Sequence, residues 1–122
     1  MTESTNETKT HTGSCHCGAV RFEVDMSLAD AGACNCSICR RAGWVVKSVP
    51  PAAFTMLSGV GAETDYQFGK KTAHHPFCAT CGVRTHSSWG EGDDMKVMIN
   101  LRCLDGVDAD ALEVRRWDGA SF

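Results

Sequence analysis

The chain has 122 residues, 43% of them hydrophobic and 22% charged, with a formal charge of −3. That length suits one domain, and the mildly acidic balance lacks the basic stripe of a nucleic-acid binder. No apolar run approaches the roughly 18–20 residues that span a bilayer.

The N-terminal "MTESTNETKTHTGS" is polar and has no apolar core of the kind a secretory signal carries. Residues 1 to 11 are therefore expected to form a frayed tail, residues 12–122 a single domain, and the protein to be cytoplasmic. In "GSCHCGAVRFEVD" (13–25), Val20, Phe22 and Val24 alternate with Arg21, Glu23 and Asp25, the period of a half-buried strand. "NCSICRRAG" (35–43) predicts a knuckle and one or two helical turns that stop at Gly43. "WVVKSV" (44–49) predicts a strand ended by Pro50 and Pro51. "AAFTML" (52–57) predicts another, with Phe54 and Met56 on one face, before Ser58 to Gly61 turn the chain.

"TDYQF" (64–68) predicts a further strand, and "TAHHPFCATCG" (72–82) one that runs into a tight turn. "VRTHSSW" (83–89) is expected to return antiparallel to it. "MKVMINL" (95–101) is the strongest buried strand, and "CLDGVDADALEVRRWDG" (103–119) is expected to supply turns, one helical turn and a last strand near Leu112 to Trp117. Many short strands, frequent turns and no long helical period predict a mainly β domain.

The outlying feature is the eight cysteines. The expected compartment is reducing, and a bridge within Cys15–Cys17 or Cys34–Cys36 would strain a disulfide. Thiolates on metal fit better. They fall into four groups: Cys15 with Cys17; Cys34, Cys36 and Cys39; Cys78 with Cys81; and Cys103 alone. In "CATCG" two sulfurs share a turn whose N–H groups can point at them, with Gly82 free to take a positive φ. Cys78 and Cys81 have two candidate partners. Pairing with Cys15 and Cys17 makes a closed four-sulfur site and leaves Cys34, Cys36 and Cys39 as a three-sulfur site with one open tetrahedral corner. Pairing with Cys36 and Cys39 gives CxxC…CxxC, but across 38 residues rather than the roughly 15–20 of an ordinary ribbon. Three protein ligands with an open position is the ligand count of a catalytic zinc.

The segments "GSCHCGAVRFEV", "CNCSICRRAG", "HHPFCATCGV" and "NLRCLDGVDADAL" together resemble the glutathione-dependent formaldehyde-activating enzyme family, which includes centromere protein V-like proteins. The resemblance runs from about Gly13 to Asp118. It implies an Mss4-like fold of small coiled antiparallel β-sheets with zinc-binding knuckles. It implies two zinc ions per chain, one structural on Cys15, Cys17, Cys78 and Cys81, one on Cys34, Cys36 and Cys39. It further implies a carbon–sulfur lyase or synthase that condenses glutathione with formaldehyde to S-hydroxymethylglutathione. The substrates would then be a small thiol and an aldehyde, with neither nucleic acid nor membrane as partner.

Hemithioacetal formation needs a thiolate and an electrophilic carbonyl, and the expected place is the open corner of the three-cysteine zinc. Arg40 and Arg41 follow the last thiolate and have two readings, a clamp on a glutathione carboxylate or solvated surface charges. His74 and His75 are expected on opposite sides of a strand, one of them facing either the reactive site or the core. His16 is expected to be exposed, and His86 has no evident partner. Cys103 is expected in the core, and Trp44, Trp89 and Trp117 in the core or on its rim. The reading from another class is a non-catalytic binding module with two structural zincs, which would require a fourth ligand for the three-cysteine site. A CxxC redox protein is the third reading.

Overall fold

The computed structural model describes residues 7–121. Among the described residues ten strands and one short helix follow one another. β1 (Lys9–Ser14), β2 (Arg21–Met26) and β3 (Ala31–Cys34) precede α1 (Ser37–Ala42). β4 (Val46–Val49), β5 (Phe54–Ser58) and β6 (Glu63–Tyr66) come next. β7 (Ala73–Cys78), β8 (His86–Trp89), β9 (Lys96–Asn100) and β10 (Val114–Trp117) complete the fold, with 3₁₀ turns between some of them. Among the described residues no helix is long and apolar enough to cross a membrane.

The strands form two sheets, one of three in the order β1-β2-β5 and one of seven in the order β10-β3-β4-β9-β8-β7-β6. This is the mainly β, Mss4-like architecture expected from the sequence. Nearly all pairings are antiparallel, including β7 with β8. The exception is β10, which runs parallel to β3 with Trp117 opposite Cys34. That pairing brings the C-terminal segment to the three-cysteine loop.

The core follows from the alternation in β2. Phe22, Val24 and Met26 are all buried, and they pack with Val45, Val49, Val97, Ile99 and Leu101 in or beside the central strands of the larger sheet. The Phe22 and Phe54 rings lie 5.6 Å apart. Val20, just before β2, is buried in a smaller cluster with Cys15 and Cys78, so the chain entering β2 joins the core to one wall of a cysteine site.

Two segments differ from expectation. The expected tail ends sooner than residue 11: β1 starts at Lys9 and pairs with β2 from Lys9–Met26 to Ser14–Arg21, and His11 is buried. Residues 1–6 of that expected tail lie outside the described residues. β1 is legible only as backbone, because "KTHTGS" has no apolar alternation and owes its strand to the hydrogen bonds that β2 offers. β3, "AGAC", is missed for the same reason. Its small residues carry no period, and it forms because β10 and β4 flank it.

Candidate metal centres

The first cluster is assembled from the loop after β1 and the turn after β7. Cys15 and Cys78 are almost fully buried, Cys81 partly so, and Cys17 is exposed. Their four sulfurs all lie within 4.8 Å of one another. Cys15 and Cys17 Sγ are 3.7 Å apart, and Cys17 and Cys78 Sγ 3.6 Å. A tetrahedron with metal–sulfur bonds of about 2.3 Å has sulfur–sulfur edges of about 3.8 Å, so the donor set fits a tetrahedral thiophilic metal.

Backbone amides donate to two of these sulfurs, whereas Cys17, despite the Ala19 N–H, is pushed up to about 11 by the neighbouring thiols and burial. Val20 N–H donates to Cys15 Sγ at 3.4 Å and Cys81 N–H to Cys78 Sγ at 3.5 Å. The N–H of Val83, followed by that of Cys17, brings Cys81 down to about 6. The turn is closed by Gly82 N–H to the Cys78 carbonyl at 2.8 Å. Gly82 has φ 80° and Gly43, which caps α1, has φ 65°. Both conformations strain any residue with a Cβ.

The second cluster sits where β3 gives way to α1. Cys34 ends the strand, Cys36 is the N-cap, and Cys39 lies in the first turn of the helix. Their sulfurs also lie within 4.8 Å of one another. Cys36 N–H donates to Cys34 Sγ at 3.4 Å. Burial resists ionisation of Cys36, but the Cys39 N–H, the Cys39 and Cys34 thiols and the Ile38 N–H outweigh it and lower its pKa. Cys39 is pushed up to about 12, chiefly by burial and by Cys36, although the Trp44 indole opposes the rise. Three sulfurs crowded in this way ionise together only with a cation between them.

Among the described residues no fourth His, Cys, Asp or Glu donor joins that cluster. Cys103 is elsewhere: its thiol points at the Arg84 carbonyl, 3.6 Å away. Its pKa is raised to about 11 by burial and by proximity to Cys15 and Cys81, the other cluster. The three-cysteine cluster borders a cavity of about 690 Å³, to which Cys34, Cys39, Arg40, Arg116, Trp117 and Asp118 contribute.

The structure is similar along 87% of its length to the crystal structure of a Rhodobacter sphaeroides protein, with 39% sequence identity, 98% coverage of that chain and a TM-score of 0.78. Residues 10–117 match the family model of the glutathione-dependent formaldehyde-activating enzymes. The chain belongs to that family. For a member of this family, the two cysteine clusters are thus the sites with the geometry to hold metal ions.

The histidines and arginines named from the sequence are distributed unevenly around these clusters. Arg40 reaches the cavity, whereas Arg41 donates to the Ser37 carbonyl one turn back in its own helix, at 2.8 Å. His74 Nδ1 lies 2.6 Å from Asp65 Oδ2 at the surface. His75 points the other way and is buried. His16 is exposed. His86 packs on Phe54 with ring centres 4.7 Å apart and meets Thr85 Oγ1 at 2.9 Å; burial takes its pKa down to about 4. Trp44 is buried beside Cys39, while Trp89 and Trp117 are exposed.

Two features around the second cluster carry no signal in the sequence. Asn35, between Cys34 and Cys36, binds the C-terminal segment: its N–H donates to the Trp117 carbonyl (3.1 Å), its Nδ2 to Asp118 Oδ1 (2.9 Å), and its Oδ1 accepts from Ala120 N–H (2.9 Å). This strap lays Gly119 on the cluster, where a Cβ would stand 2.4 Å from Cys34 Sγ and 3.3 Å from Cys36 Cβ. Gly119→Ala is therefore expected to displace the Cys34 sulfur. Metal affinity at the three-cysteine cluster should fall about 10–100-fold, the range for a disturbed supporting contact, with the four-cysteine cluster unchanged. Competition with a chromogenic chelator measures both affinities. The second hidden feature is Arg84, whose guanidinium lies 4.6 Å from the Trp44 ring centre and whose charge interacts with Cys39 and Cys36.

Proposed function

We propose that the protein is a zinc-dependent carbon–sulfur lyase or synthase that adds the thiol of glutathione to formaldehyde, giving S-hydroxymethylglutathione. Cys34, Cys36 and Cys39 hold the zinc at which chemistry occurs, and Cys15, Cys17, Cys78 and Cys81 hold a structural zinc. The observation that carries this reading is the contrast between the clusters. Four sulfurs complete a tetrahedron in one, and in the other three sulfurs adjoin a cavity large enough for a small ligand.

Bound zinc supplies deprotonation of a thiol and polarisation of a carbonyl. The chain's own groups do the rest. Trp44 is buried against Cys39 in one packed cluster. Arg40 and Arg116 bring positive charge to the cavity wall, which favours an anionic thiol such as glutathione. Ser121 Oγ and Asn35 Nδ2 donate to the Asp118 carboxylate and lower its pKa, so it stays ionised and sets one negative charge on the same wall. The barrier to adding a thiol to formaldehyde is low, so holding the two reactants together is the main contribution required.

The test is exchange NMR of glutathione with formaldehyde, with and without the zinc-loaded protein. Exchange should accelerate in proportion to protein concentration. A rate equal to the spontaneous one would remove the reaction and leave a non-catalytic zinc-stabilised module as the reading.

A further inference from the structure

Between the two cysteine clusters lies a second cavity of about 330 Å³, walled by Ile38, Tyr66, His75, Phe77, Gly82 and Arg84. Ile38 belongs to α1 and packs with the three-cysteine cluster. Gly82 directly follows Cys81 of the other.

Two nitrogens of these walls, Arg84 Nη2 and His75 Nδ1, are buried without a hydrogen-bond partner. His75 is only 8% exposed. Among the described residues Arg84 forms no salt bridge; it rests on Trp44 instead. The Cys39 and Cys36 sulfurs attract its charge but leave Nη2–H without an acceptor. Unpaired polar groups of this kind are costly in a protein interior. Arg84 Nη2 can only donate, His75 Nδ1 donates in the tautomer that carries its proton there, and the two in the walls of one cavity point to a ligand that accepts from both.

The surroundings hold the pair ready. Asn100 Nδ2 donates to the Arg84 carbonyl at 2.8 Å, which fixes the root of that side chain. Phe68 stacks on the His75 ring at 5.5 Å. Asp65, the acid beside His75, is already engaged: its Oδ1 accepts from His75 N–H at 2.9 Å and its Oδ2 meets His74. The remaining walls are apolar or aromatic.

We infer that this cavity binds a carboxylate, with Arg84 Nη2 and His75 Nδ1 donating to its oxygens and Ile38, Tyr66 and Phe77 covering the apolar part of the acid. Both nitrogens are shielded from water in this structure, so binding requires both side chains to turn toward the ligand. The carboxylate belongs either to the thiol substrate or to a separate small acid.

The experiment follows the Arg84 and His75 side-chain ¹H–¹⁵N signals of the metal-loaded full chain. S-methylglutathione, its dimethyl ester and phenylacetate are the probes. At least one acid should shift both signals saturably while the ester does not, and Arg84→Gln should weaken that binding by about tenfold or more. Saturation by S-methylglutathione alone assigns the site to the thiol substrate. Saturation by phenylacetate, alone or as well, assigns it to the carboxylate group of small acids generally. If neither acid saturates the signals, or the ester does so equally, the inference is overturned and Arg84 serves the thiolates alone. The acid–ester comparison uses the unaltered protein, so it decides even where the Arg84 variant fails to fold. None of these readings requires turnover, so failure of the proposed reaction is told apart from failure of this site.

Discussion

Cys78→Ser is expected to abolish the cooperative thermal transition of the domain. Cys78 is 1% exposed and ends β7, and its sulfur joins three others contributed from the loop after β1 and the turn after β7. A metal closed by four thiolates contributes about 10–16 kcal/mol to folding in small zinc domains, which matches or exceeds the roughly 5–15 kcal/mol net stability of a typical domain. Removing one ligand leaves three thiols crowded around a weakened site, in a core cluster of only Cys15, Val20 and Cys78 with Met56, Cys81 and Val83 against it. Circular dichroism melts and native mass spectrometry measure the outcome. A variant that melts cooperatively near the unaltered protein's midpoint would show that the four-cysteine cluster does not hold the fold together.

Cys36→Ser is expected to do the opposite. The chain should fold, lose one metal ion, and lose catalytic efficiency by at least about 10²-fold, more than a disturbed supporting contact costs. Cys36 is the N-cap of a six-residue helix and sits outside the main core; serine is itself a favoured N-cap. The β4–β9 and β8–β9 pairings that carry the larger sheet do not pass through it. Metal counting, a thermal melt and the exchange assay on one preparation separate the three effects. Unfolding equal to that of Cys78→Ser would mean that both clusters are structural.

Local features were legible in the sequence where neighbours along the chain suffice to create them. The alternation through Val20, Phe22 and Val24 marks β2, and Gly43 marks the end of α1, because side-chain period and the left-handed cap act within a few residues. β1 and β3 were not legible, since "KTHTGS" and "AGAC" become strands only when β2, and β10 with β4, present backbone groups to them. Arg84 carries no local signal for a related reason. Its meaning depends on Trp44, forty residues earlier in the chain, and on the place where Asn100 holds its carbonyl.

The sequence by itself determined the inventory of sulfur donors and their local grouping, because ligands one to three residues apart share a knuckle whatever the rest of the chain does. Together with the four ordered motifs, that was enough to expect the family and a mainly β fold. Spacing alone left open which pair completes the site around Cys78 and Cys81. Tertiary structure decided where the sulfurs meet: the loop after β1 and the turn after β7 converge through pairing and packing across two sheets, interactions written in backbone hydrogen bonds rather than in side-chain type. It also decided what surrounds the three-cysteine cluster. The parallel β10–β3 pairing brings Gly119 onto Cys34, and the packing of β8 and its preceding loop sets Arg84 over Trp44 between the two clusters.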